Sequence, residues 1–138
     1  LPEPFHLSGP YSINNFIIFI VALVLGLFLV TALNLFMHIL TMFTLDEKGA
    51  MTTYSVIADI FMGGTVPIPF FPTWLKHIAE FLPFRFIGDF PFRIYSNSIP
   101  LEEGYILIIG SIIWIIITIS LGYLISRVSL RKAVIQGG

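Results

Sequence analysis

Cysteine is absent from the 138 residues, and charge is scarce: Asp, Glu, Lys and Arg together make up only 11%. Without thiols the chain holds no disulfide framework and no thiolate chemistry. Soluble proteins carry roughly a quarter charged residues, and this shortfall comes with 57% hydrophobic residues and a mean hydropathy of +0.94. The chain therefore reads as an integral membrane protein. A formal net charge of −1 gives no electrostatic footprint for nucleic acid. Catalytic signatures are missing as well. There is no G-x-x-x-x-G-K-[ST], H-E-x-x-H or G-x-S-x-G, so no catalytic or cofactor-binding residue is assigned. His6, His38 and His77 are far apart, which leaves no metal site to assign, and His77 with Glu80 reads as a solvated helix face.

What is present is long apolar runs. At about 20 residues per span, 138 residues hold about three spans and leave no room among them for a soluble enzyme domain. The chain starts at Leu1 without an initiator Met, and residues 1–15 have neither the basic nor the apolar region of a signal peptide. The expectation is one transmembrane domain over residues 1–138 belonging to a longer protein.

Residues 1–15 (LPEPFHLSGPYSINN) are loop chemistry, with Tyr11 at the membrane boundary. The run from Phe16 to about Phe43 predicts a full span. Within it Thr31, Asn34, His38 and Thr41 share an arc of about 80° at about 100° per residue, a face expected to point into protein. Ala22 and Gly26 form a small-xxx-small pair that lets a second helix approach. Residues 45–50 (LDEKGA) read as a tight charged turn, with Gly49 as a helix stop. Met51 to Met62 gives only about 18 Å of helix, short of a hydrocarbon core of about 30 Å, so this span is broken. Asp59 is the one carboxylate inside an apolar segment, and such a residue must be paired or face water. Counting from the turn places it between His38 and Asn34 on the antiparallel neighbour. A polar contact among the three is expected, serving either packing register or the substrate path.

The stretch from Gly63 to Pro91 (GGTVPIPFFPTWLKHIAEFLPFRFIGDFP) is apolar yet too rich in Pro and Gly to be one helix. Irregular backbone at membrane depth must pack on protein or line a cavity, so the stretch predicts a re-entrant excursion sheltered by other helices. Thr73 to Leu82 has the pattern of an amphipathic helix, expected at the membrane surface with Trp74 as anchor. The aromatic and charged residues after Pro83 suit a wet surface near headgroups. Phe70, Phe71, Phe84, Phe86, Phe90 and Phe92 read as lipid-facing bulk or, alternatively, as ligand contacts. Ser98, Pro100, Glu102 and Glu103 form a helix start. Tyr105 to Ile125 is a second full span, with Ser111, Thr118, Gly122 and Ser126 as its packing face. Arg127, Arg131 and Lys132 put the C-terminus in the cytoplasm by the positive-inside rule, and the Pro-rich stretch outside. The fold class is thus all-α: a polytopic membrane protein with two full spans, a broken span, and re-entrant and interfacial helices.

This order of parts, with the pattern G-G-x-x-P-x-x-x-x-P-x-x-L-x-x-I-x-x-x-x-P-F carried by Gly63, Gly64, Pro67, Pro72, Leu75, Ile78, Pro83 and Phe84, resembles the C-terminal half of an ABC-2-type exporter permease. The resemblance implies spans four to six of a plasma-membrane permease that pairs with a second permease subunit, identical or different, and with two ATP-binding subunits. It also implies that the re-entrant segment closes the outer end of the pathway, with membrane lipid around the subunit. The family's coupling helices for the ATPase have no counterpart here. Two other classes stay open on the residues alone: a small membrane enzyme or scaffold acting on lipids, and a channel-forming homo-oligomer.

Overall fold

The structure is a computed structural model that describes residues 13–96 and 99–137. The described residues form helices joined by short turns: α1 (Ile13–Thr41), α2 (Glu47–Phe61), a 3₁₀ turn (Ile68–Phe70), α3 (Thr73–Phe81), a second 3₁₀ turn (Pro83–Phe86), α4 (Asp89–Tyr95) and α5 (Leu101–Gly137). The fold class is all-α, as the composition implies. His6, Tyr11 and Ser98 lie outside the described residues.

Two helices are long and apolar enough to cross a membrane: Ile13–Thr41 and the part of α5 over Leu101–Val128. In their most apolar windows only 28% and 22% of residues are buried. Core helices of a water-soluble protein would be covered on most sides, so these faces suit lipid. The helices run parallel, because Ile18 meets the Cα side of Gly104 near the start of α5 while Phe36 and Ile39, later in α1, meet Gly122 further along α5. On α1 the covered seam is Ile18, Ala22, Gly26, Leu29 and Leu33, recurring every three or four residues. On α5 it is Gly104, Leu107, Ser111, Thr118 and Gly122, all buried, with Ser126 half-buried. The Ser111 hydroxyl donates to the Leu107 carbonyl at 3.0 Å, so the seam contains no unpaired hydroxyl there. The polar, small-residue face expected on the last span is therefore its packing face.

The connection between α1 and α2 differs from the expected turn. Asp46 accepts a hydrogen bond from the Gly49 amide at 2.9 Å and so caps the start of α2. Gly49 is not a helix stop. It lies in the first turn of α2, where a Cβ would collide with the Asp46 carboxylate. At 15 residues α2 is about 22 Å long, which confirms the broken span.

Candidate functional site

The end of α2 is built by two glycines. Gly63 has φ +84°, a left-handed conformation that a β-carbon disfavours. The Gly63 amide donates to Ile60 O at 3.2 Å and the Gly64 amide to Asp59 O at 3.0 Å, the Schellman pair of bonds that closes a helix C-terminus. The chain then leaves the helix axis. Pro67 stands before the first 3₁₀ turn and Pro72 before α3, positions where a missing donor costs nothing. In α3, Leu75 is half-buried and Ile78 exposed. Leu82 is extended, and the buried Pro83 and Phe84 start the turn into α4.

This turn is the tip of a helical hairpin, and its depth is set by three contacts. The Phe86 and Ile87 carbonyl oxygens lie 3.4 Å from where a Cβ on Gly26 would stand, and the Phe86 ring lies 2.9 Å from the equivalent point on Gly110. Phe81, the last residue of α3, meets Trp114 edge-on with ring centroids 6.0 Å apart. Gly26 and Trp114 each stand about 20 Å along their helices from Ile13 and Leu101, at about 1.5 Å per residue. From the tip α4 returns toward the start of the spans, where Tyr95 meets Phe19 at 5.0 Å and Ile94 meets Gly104. The hairpin is thus re-entrant, and it extends to Tyr95 rather than ending at Pro91.

Two sequence expectations are corrected here. Residues 83–94 do not form a wet surface: Pro83, Phe84, Phe86, Asp89, Phe90, Pro91 and Ile94 are buried, and Phe90 is fully enclosed. Nor does a helix occupy the small-residue notch at Gly26; the backbone of the hairpin tip does. The end of α3 lies well down the side of α5, while Trp74 at its start is exposed.

Charges accompany the tip. Arg93 donates through Nε to Asp89 Oδ2 at 3.0 Å, an i, i+4 pair within α4. Arg85 donates through Nη1 to the Glu80 carbonyl at 3.1 Å and lies over the Phe86 ring at 5.5 Å. The Arg85 Nε and the Tyr54 hydroxyl are buried without a hydrogen-bond partner. Tyr54 and Phe61 of α2 both pack on Phe84, with centroids at 6.1 and 6.5 Å. A buried tip carrying Arg85 and an Asp89–Arg93 pair, packed on the α2 side by the Tyr54 and Phe61 rings and by Met62 against Gly88, is chemically a polar plug in apolar surroundings. Among the described residues no group of three or more His, Asp and Glu converges as a metal site.

Of the residues expected to meet around Asp59, both Asp59 itself and His38 lie beside another group. Asp59 is exposed and accepts from the Thr65 hydroxyl at 2.7 Å, across the Gly63–Gly64 turn. His38 Nδ1 lies 3.7 Å from Glu47 at the far end of α2, and Asn34 is exposed. The Schellman turn folds Thr65 back onto the last turn of α2, within reach of Asp59. Of the polar face of α1, Thr41 is buried, while Thr31, Asn34 and His38 are uncovered by this chain.

Asp89, Arg93 and Arg85 were not singled out from sequence. Their signal was the i, i+4 spacing of Asp89 and Arg93, which a Pro at position 91 obscured. Pro91 sits in the first turn of α4, where its missing amide is harmless.

Two helices long and apolar enough to cross a membrane, a third helix broken by glycine and a re-entrant hairpin define a multispan membrane protein. The chain belongs to the ABC-2 family of transporter proteins, whose family profile matches residues 10–137. It is a membrane permease of the ABC-2 type. No curated protein and no solved structure matches it.

Proposed function

We propose that this permease forms part of the pathway wall and the outer gate of an ATP-driven exporter in the plasma membrane. A second permease subunit completes the pathway, and ATP-binding subunits on the cytoplasmic side hydrolyse ATP. The observation that supports the gate is the seating of the hairpin tip: Phe86 and Ile87 rest against glycines at Gly26 and Gly110, with no side chains interlocked at those two points. Such contacts let the tip lift without dragging a neighbour, and the Gly63 turn is the hinge on the α2 side. The Pro67, Pro72 and Pro83 breaks keep the hairpin in short rigid pieces that move as units. Nucleotide-driven closure of the ATP-binding subunits would then bias the spans between a state that clamps the tip and one that releases it.

The C-terminus lies in the cytoplasm on this reading, because Arg127, Arg131 and Lys132 follow the last apolar run. The test is purification of the full-length protein from its own membranes. An ATP-binding subunit with Walker motifs is expected in the complex, and reconstituted vesicles should lose their substrate only with ATP. A stable complex with no ATPase would overturn the proposal.

A further inference from the structure

On the face of α1 opposite Gly26, α1 and α5 leave an open groove between them. Two adjoining cavities of about 490 and 280 Å³ make it up, and they share Ala32, Leu35 and Ile119. Along α1 the lining runs from Val24 to Ile39, about 22 Å at 1.5 Å per residue. That exceeds half of a hydrocarbon core of about 30 Å, so the groove covers one leaflet. Its lining is apolar apart from a few hydroxyls, and the Thr31 hydroxyl already donates to the Leu27 carbonyl at 2.8 Å. The other end is different. Tyr123 and Ser126 line the mouth, and the Arg127 guanidinium lies 5.9 Å from the Tyr123 ring centroid. Arg131 stands one helical turn further on. Both arginines are exposed, and among the described residues neither has an acidic partner.

We infer that this groove binds an anionic phospholipid, with an acyl chain lying along Leu35 and Ile119 and the headgroup phosphate held by Arg127 and Arg131. Charge decides between occupants. An apolar helix in the groove would leave two guanidiniums unanswered at its end, whereas a phospholipid supplies hydrocarbon and phosphate in the matching order. The lipid would splint the α1/α5 seam on the side the hairpin does not cover.

The full-length protein is placed in nanodiscs of phosphatidylcholine containing phosphatidylglycerol, released, and weighed by native mass spectrometry for retained lipid. Phosphatidylglycerol should be retained in preference to phosphatidylcholine. Each guanidinium beside an anionic headgroup is worth about fivefold, so R127Q with R131Q should lower its occupancy roughly 25-fold. Both positions are exposed, so these variants keep the fold. A photoreactive residue at Leu35 should form adducts with lipid. Equal retention of the two phospholipids, unchanged occupancy in the double variant, or adducts from Leu35 to another protein chain would each overturn the inference.

Discussion

Arg93 and Asp89 form an ion pair at 3.0 Å on one turn of α4, with side chains only 18% and 8% exposed. The pair closes on itself, so these two opposite charges among Phe86, Phe90 and Ile94 cancel each other. Breaking it should therefore cost more than removing it. Asp89→Asn strands the Arg93 charge and is expected to destabilise by about 3–5 kcal/mol. The double change Asp89→Leu with Arg93→Leu should recover most of that loss. Thermal unfolding in detergent, run as a double-mutant cycle, checks both values.

The hinge at Gly63 gives a second expectation. At φ +84° an alanine pays about 1–2 kcal/mol in backbone strain. Gly63→Ala should lower stability by that amount, and Gly64→Ala should act differently. A Cβ on Gly64 would run into the Asp59 carboxylate and displace it from Thr65. Restoring room with Gly64→Ala and Asp59→Ala together should return stability close to that of Asp59→Ala alone, as read by the same melting curves.

The notch at Gly26 sets how deep the tip can sit. Contacts of 3.4 Å to the Phe86 and Ile87 carbonyls leave space for a methyl group with small adjustment and none for a larger side chain. Gly26→Ala is expected to transport normally. Gly26→Leu should lose about 1–3 kcal/mol by overpacking and leave the pathway leaking in the absence of ATP. Passive efflux from reconstituted vesicles measures the leak, and normal membrane insertion shows that the subunit is still made.

Locking the hairpin tests its motion. Residues 1–138 contain no cysteine, so Phe81→Cys with Trp114→Cys introduces the only thiols in this part of the protein, across a ring contact of 6.0 Å. A short bifunctional thiol reagent should stop transport while leaving the ATP-binding subunits attached, and a reductant that cleaves the linker should restore it. Full transport with the link intact would show that α3 does not move relative to α5.

Much of this architecture was written in local composition. The break after α2 was legible because Gly-Gly followed by spaced prolines forbids a continuous helix whatever surrounds it. The packing face of α5 was legible because Ser111, Thr118 and Gly122 recur at helical spacing in an otherwise Ile-rich run. The cap at Asp46 was misread as a stop at Gly49, since a glycine one turn into a helix looks like an end until the carboxylate that needs its space is seen. The expected Asp59 contact depended on counting depth along two helices. Such counting does not show that Thr65 folds back across the Schellman turn to donate to Asp59.

By itself, then, the sequence determined that this protein lives in a membrane, that two helices cross it, and that the stretch between them bends. Those properties follow from hydrophobic length and from backbone restrictions that act within a few residues. Only the tertiary structure decided that the charged segment after Pro83 turns inward, to rest between Gly26 and Gly110. Placing Arg85, Asp89 and Arg93 there requires partners some sixty residues before in α1 and twenty after in α5, a long-range packing choice on which local periodicity is silent.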